Sequence, residues 1–193
     1  MARPRGSQGS ETRERILDVA QELFTRHGYD KTSLRDIADR LEITKAALYY
    51  YFERKEDILL ELHRRLQVLG SGLLDALEAA PDGPARYAIW PRLADEMIDF
   101  MVDNRELILL HDRNRNAFAS IAARIAEEDP GIEARFSRII GSPAIPLRER
   151  VRMAAVVGTI TEVFAESAAA FEAEDTEQLA DLVREAIGDL LRD

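Results

Sequence analysis

The chain reads as an all-α protein, and three observations carry that reading. Glycine and proline are sparse, 10 and 7 in 193 residues, while Ala, Leu, Arg and Glu are abundant, which favours helices. Apolar residues recur at i, i+3, i+4 and i+7 in successive stripes from Ile16 to Leu190. The gaps between stripes carry helix punctuation: Gly28, Pro81-Asp82-Gly83-Pro84 and Gly141-Ser142-Pro143. Cysteine is absent, which excludes disulfides and thiolate metal sites. No apolar run reaches the roughly 18 residues of a membrane span. The segment MARPRGSQGS has no apolar h-region, so the expectation is a cytoplasmic protein.

Residues 1–10, rich in Gly, Ser and Arg, read as a disordered arm. A first helix is expected from Glu11 to His27, with Ile16, Val19, Ala20, Leu23 and Phe24 as its apolar stripe and Gly28 just past its end. In the next stretch Leu34, Ile37, Ala38 and Leu41 form one stripe. Ser33 and Asp36 stand in capping-box spacing, with Thr32 as a second candidate cap. Glu42 and Ile43 break the pattern. Thr44 then offers a new N-cap for a short helix from Lys45 to about Phe52. Leu48 and Phe52 suit a small core shared with the first two helices. The result is a three-helix head over residues 11–57, followed by a body over 58–193.

The body opens with a long helix from Lys55 to about Ala80, with Ile58, Leu59, Leu62, Leu66, Leu69, Leu73 and Leu77 inward and Gly70-Ser71-Gly72 as a place to bend. Past the Pro-Gly stop, a helix with Ile89, Trp90, Leu93, Met97, Ile98 and Met101 runs to about Val102 and can start anew near Pro91. Asn104 can cap a short helix through Leu110. Residues 117–140 are expected to be helical, with Asp129-Pro130-Gly131 as a break. A helix from Leu147 to Ala170 is small and apolar nearly all round its middle, Met153 to Ile160, and so needs burial on more than one side. A last helix runs from Thr176 to Leu191. Together these two present more apolar surface than one small body covers, which suggests subunit pairing.

The helix from Lys45 has two faces. Lys45, Ala46, Tyr49 and Tyr50 share one side, which is basic, small and aromatic. Such a face suits a nucleic-acid groove and backbone: lysine reaches a phosphate or base edge, alanine permits close approach, and tyrosine hydroxyls donate to phosphate oxygens. A short helix, a tight turn and a second short helix with this face is a helix-turn-helix arrangement. The net charge of −10 opposes nucleic acid at first sight, but residues 1–55 carry 11 Lys and Arg against 9 Asp and Glu, including all three lysines. An acidic body would repel DNA and leave the head as the docking face. Arg3 and Arg5 in the arm could reach a minor groove, although a solvated tail is the simpler reading.

The stretch RILDVAQELFTRHGYDKTSLRDIADRLEITKAALYYYFERKEDIL resembles the DNA-binding domain of the tetracycline-repressor (TetR) family of bacterial regulators. The matching features are Gly28-Tyr29 after the first helix, then Thr32, Ser33, Ile37 and Ala38, then Thr44 through Phe52 with Lys55 and Ile58. The chain departs at Thr44 for Ser, Ala46 for Gly and Tyr51 for His, keeping a capping oxygen, a small residue and a hydrogen-bonding side chain. The resemblance covers about a quarter of the chain. It implies a homodimeric repressor, paired through its last two helices, that presents two recognition helices to a palindromic operator. The expected DNA contacts are Lys45, Ala46, Tyr49 and Tyr50 in the groove, with Thr44, Ser33, Tyr51 and Lys55 on the backbone. Thr32 and Arg35 stand in second rank.

The resemblance also implies a small-molecule effector held in the body, whose binding releases DNA. Candidate lining residues are Trp90, Met97, Met101, Phe118, Phe136 and Phe164, with His111, Asn114 and Thr161 as polar orienting groups. Each apolar candidate also reads as ordinary core. No phosphate-cradling Gly-rich loop, His-Glu-x-x-His or Gly-x-Ser-x-Gly motif appears, so no enzyme, cofactor or metal is expected. The histidines 27, 63 and 111 are far apart in the chain. Two other readings stay open: a regulator or activator gated by a protein partner without a small-molecule pocket, and a small all-α enzyme or interaction protein that carries the head.

Overall fold

A computed structural model describes residues 5–81, 84–114, 117–118 and 131–192, and every regular element among them is helical. In order these are α1 (Arg5–His27), α2 (Leu34–Arg40), α3 (Lys45–Tyr51), α4 (Lys55–Ala79), α5 (Pro84–Ala88), α6 (Trp90–Asp103), α7 (Arg105–Arg113), α8 (Gly131–Ile140), α9 (Leu147–Thr161) and α10 (Thr176–Leu191). A π-helical turn (Glu162–Glu166) and a 3-10 turn (Ala168–Phe171) join α9 to α10.

Local chemistry sets the head's boundaries. Gly28 ends α1 at φ +87°, a left-handed conformation that glycine adopts without steric penalty, and its N–H returns to the Phe24 carbonyl. The Ser33 hydroxyl accepts from the Asp36 N–H, and the Asp36 carboxylate accepts from the Ser33 N–H, closing the capping box of α2. The α2–α3 turn is a Schellman motif: Ile43 N–H reaches the Ala38 carbonyl and Glu42 N–H the Asp39 carbonyl. Glu42 holds φ 57° there, at about 1 kcal/mol of strain for a residue with a Cβ. Thr44 accepts from the Ala47 N–H and starts α3.

Two apolar cores follow. The head core joins Ile16, Leu17, Ala20 and Phe24 of α1, Ile37 and Ala38 of α2, Leu48 of α3 with Phe52, and Ile58, Leu59 and Leu62 of α4. It does not stop at the head, because Leu107 and Leu110 of α7 and Phe118 belong to it. The body core gathers α4 from Leu74, α6, α8, α9, the π turn and α10, with Trp90, Ile98, Val156, Ile160, Phe164 and Ile187 at its centre. Each fully buried Leu, Ile or Phe contributes about 1.5–3 kcal/mol relative to exposure.

Several expectations are corrected. Helix α1 begins at Arg5 rather than Glu11, so residues 5–10 are helix and not a disordered arm; α1 propagates one bond per residue through their glycines and serines. Arg3 lies outside the described residues, as do most of the 117–130 stretch and part of the Pro81–Pro84 stop. Helix α4 runs unbroken through Gly70 and buries His63, Gly70 and Leu74, whereas Leu69 is 48% exposed. A leucine stripe at 62, 66, 69 and 73 has a seven-residue repeat, and over 25 residues a straight helix drifts away from it. Gly70 is a packing position: a Cβ there would stand 2.6 Å from Ile132 Cδ1. Asn104 does not cap α7 through its side chain; its Nδ2 donates to the Phe100 carbonyl at the end of α6.

The helix expected to reach Ala170 changes form at Glu162, where the Ser167 N–H bonds five residues back to the Glu162 carbonyl. Helix α10 starts at Thr176 as expected, and Asp175 caps it by accepting from the Gln178 N–H. In this single chain α9 buries one face only, through Met153, Val156 and Ile160. Its other face, with Leu147 at 66% and Val151 at 59%, is open, and on α10 Leu182 at 57% and Leu190 at 41% are exposed as well.

A polar seam fastens α8 to α4. Gln67 Oε1 accepts from the Ile132 N–H, and Arg135 reaches Asp75 at 2.6 Å, Glu78 at 2.7 Å and the Ser71 carbonyl at 3.4 Å. The Arg135 guanidinium donates to Glu78 and holds its carboxyl below the usual range. Helix α7 is tied on both sides. Arg105 donates to the Phe171 carbonyl; Arg113 donates to the Thr25 carbonyl of α1 and pairs with Glu172.

Candidate nucleic-acid interface

Helix α3 is seven residues long, too short to be stable alone. It is held by what surrounds it. Thr44 caps its start, Leu48 is 0% exposed, and Phe52 at 2% closes its end in extended backbone. Those anchors leave Lys45, Ala46, Tyr49 and Tyr50 outward. Tyr50 is 83% exposed and Tyr49 41%, unusual for aromatic side chains in a folded domain. Lys45 Nζ lies 5.4 Å from the Tyr49 ring centroid, and Tyr50 meets the half-buried Tyr51 edge to face at 5.2 Å. Ala47 is exposed as well, so the open surface of α3 is wider than the face of Lys45, Ala46, Tyr49 and Tyr50.

Around this face the other expected residues divide. Ser33, Arg35 and Thr44 are exposed at helix starts. Ser33 and Thr44 use a hydroxyl lone pair for capping, and Arg35 pairs with Asp39 at 3.6 Å. The Asp36 carboxyl is held below its ordinary range, first by the Ser33 hydroxyl and then by the Ser33 N–H. Lys55 is half-buried. Its Nζ donates to the Tyr29 carbonyl at 2.5 Å and sits 4.0 Å from the Tyr29 ring centroid, so one of its three donors is engaged. Burial in turn pushes the Tyr29 phenol upward, with Glu56 adding to the effect.

Thr32 is the exception. It is 3% exposed, and its hydroxyl donates to the Gly28 carbonyl at 2.9 Å and the Leu23 carbonyl at 3.3 Å. Its place is inside the head, closing carbonyls at the end of α1, and not on a nucleic-acid surface.

One residue that sequence reasoning passed over is Arg13 of α1. Its guanidinium lies 4.4 Å from the Phe52 ring centroid, donates to the Tyr51 carbonyl at 3.4 Å, and pairs with Glu61 of α4 at 3.0 Å. No local signal marks it, because its three partners lie 38 to 48 residues away in sequence.

The effector candidates do not form one group. Trp90, Met97, Met101, Phe136 and Phe164 meet in or against the body core, with Trp90 stacked on Phe136 at 6.1 Å between centroids. The Trp90 Nε1 is buried and has no acceptor among the described residues. Phe118 lies instead in the head core, stacked on His111 at 4.3 Å. His111 in turn stacks on His63 at 5.5 Å, so two histidines far apart in the chain are neighbours in the fold. Asn114 donates to the Leu110 carbonyl and lines a shallow hollow of about 270 Å³ at the α1–α7 junction, with Phe24 and Arg113. The Thr161 hydroxyl donates back to Val157 in its own helix. Among the described residues, no group of three or more His, Cys, Asp or Glu is placed to hold a metal ion, and no helix is long and apolar enough to cross a membrane.

With this geometry in place, the likenesses to known proteins are informative. Residues 16–62 match the family model described as bacterial regulatory proteins, tetR family. The HTH-type transcriptional regulator AcrR of Shigella flexneri is 42% identical over 62 residues, 32% of this chain and 29% of that protein. The biofilm operon icaADBC negative transcriptional regulator IcaR of Staphylococcus epidermidis is 46% identical over 46 residues, 24% of this chain and 25% of that one. The match thus spans less than a third of the length of these curated relatives. Likeness of fold extends much further. A transcriptional regulator from Aquifex aeolicus superposes with TM-score 0.65 at 18% identity, covering 93% of this chain and 99% of that one. The fatty acid degradation regulator FadR of Bacillus halodurans does so with TM-score 0.64 at 15% identity, covering 97% and 96%.

Proposed function

We propose that this chain, whose head belongs to the tetR family of bacterial regulatory proteins, is a sequence-specific DNA-binding transcriptional repressor that acts in the cytoplasm as a homodimer. The observation that carries the reading is the outward face of α3: a lysine, a small residue and two exposed tyrosines on a helix whose other side is locked into the core. Lys45, Ala46, Tyr49 and Tyr50 enter the major groove. Ser33, Arg35, Thr44, Tyr51 and Lys55 hold the phosphate backbone on either side. The roles of these two relatives, a transcriptional regulator and a negative transcriptional regulator, support the assignment.

Pairing runs through α9 and α10. Leu147, Val151, Leu182 and Leu190 are large apolar side chains left open on adjacent helices, and a second copy covers them by twofold symmetry. An apolar effector enters the body among Trp90, Met97, Met101, Phe136 and Phe164 and shifts the heads away from operator spacing. Phe118, His111, Asn114 and Thr161 are left out of that lining, since they lie at the head junction or are engaged within their own helices.

The test is fluorescence anisotropy of the protein on the intergenic DNA beside its own gene, titrated with salt. Specific binding at about 0.15 M salt should exceed binding to random DNA by on the order of 10³-fold or more. Lys45→Ala and Tyr49→Ala should each weaken it by about 1–3 kcal/mol while the dimer persists. Equal affinity of both variants and the parent would reject the α3 face. Trp90 is the sole tryptophan, so its emission reports effector binding in the body directly. A saturable change with an apolar compound that also releases DNA supports ligand gating; release without such a change favours a protein partner.

A further inference from the structure

Resting on the DNA-binding reading above, we infer that Arg13 is the positioning residue of the recognition helix, setting the angle at which α3 meets DNA without touching DNA itself. One guanidinium joins three elements. From α1 it donates to the Tyr51 carbonyl at the C-terminal end of α3, lies over the Phe52 ring that closes that helix, and is anchored by the Glu61 carboxylate on α4. Each contact suits its chemistry. A helix C-terminus presents unsatisfied carbonyls at the negative end of its dipole and favours a cation there. A planar guanidinium can lie over an aromatic face while its N–H groups point outward in its own plane.

The leverage comes from length. The start of α3 is fixed by the Thr44 cap and the α2 turn, and its middle by Leu48. A seven-residue helix spans about 10 Å. Holding its far end against both α1 and α4 therefore decides where Lys45, Tyr49 and Tyr50 point. Arg13 and Glu61 are about two-thirds buried, with side-chain exposures of 36% and 31%. The pair is shielded from salt better than a surface pair, so the α3 angle should hold across ionic strengths.

The experiment measures operator and random-DNA affinity across a salt series for the parent, Arg13→Lys, Arg13→Ala and Glu61→Gln, with dimer state and thermal unfolding as controls. Lysine keeps the charge but cannot bond the carbonyl and the carboxylate in a fixed fork while covering the ring. Both Arg13 variants should lose on the order of tenfold in operator affinity, the size of one good base contact, with random-DNA affinity and the slope of log affinity against log salt unchanged. Glu61→Gln retains an acceptor and should fall between. A slope reduced by about 0.9 would mean that Arg13 neutralises a phosphate, and would overturn the inference. Equal losses on operator and random DNA, tracking a lower unfolding temperature, would mean a merely structural role and overturn it as well. If the parent discriminates and the Arg13 variants match it, the inference fails while the DNA-binding reading stands. If the parent itself does not discriminate, both fail.

Discussion

The Thr32 hydroxyl donates to two carbonyls where α1 ends, and this single group separates a buried, structural threonine from the exposed serine beside it. Ser33 is exposed and caps α2; Thr32 is buried and closes α1. Thr32→Val keeps the shape but leaves the Leu23 and Gly28 carbonyls without that donor. It should lower stability by about 1–3 kcal/mol, read as a shift in denaturant midpoint at constant m-value. The salt slope of DNA binding should stay unchanged. Such a pair marks the limit of what adjacent letters disclose. Capping by Ser33 and Thr44 was legible in advance because a cap bonds to a backbone three residues away. The fate of Thr32 depends on Leu23, nine residues back and brought close only when α1 and α2 pack.

At the scale of the element, α4 is the most informative helix. Two of its glycines sit two residues apart in different surroundings. A Cβ at Gly72 would meet nothing within 4 Å among the described residues, whereas one at Gly70 would meet Ile132. Gly72→Ala should stabilise the protein by about 0.5–1 kcal/mol through helix propensity alone. At Gly70, alanine gains the same propensity but must push the tip of Ile132 aside, for a net effect near zero. Gly70→Leu should cost about 1–3 kcal/mol by overpacking the α8 contact; thermal melts of the three variants check the order. The seam beside it also responds to acid. Arg135 lowers the folded-state pKa of Glu78 below its unfolded value. The associated stability is therefore fully present above the ordinary glutamate pKa and is lost as pH falls through the lower folded one. Glu78→Gln should flatten the acid limb of the unfolding temperature below about pH 4. None of this seam was readable from α4 by itself, because a 25-residue helix with leucines on several sides does not declare which one α8 will choose. Its start and end were readable, as were those of α10, since punctuation is local.

On the scale of the whole molecule, the exposed apolar residues fall in distinct places. Tyr49 and Tyr50 stand on α3, Val68 and Leu69 on α4, and Leu147, Val151, Leu182 and Leu190 on α9 and α10. The sequence shows that the middle of α9 is apolar nearly all round but not which side its own chain covers, and the answer is the side of Met153, Val156 and Ile160. On the proposed pairing through α9 and α10, introducing charge on the open side, as Val151→Glu or Leu182→Glu, should yield monomers in sedimentation while helicity is retained. Operator affinity should then fall by on the order of 10²-fold or more, since the second head no longer binds as a tethered partner.

The core of the head draws Leu107, Leu110 and Phe118 from well beyond residue 62, where the match to the family model ends. Inherited similarity and physical closure therefore stop at different points along this chain. Anyone building a chimeric regulator by transplanting this head onto a foreign sensor would cut through a shared interior if the joint were placed after α4. A graft that carries α7 along, or that supplies apolar side chains in its place, would arrive with its floor intact.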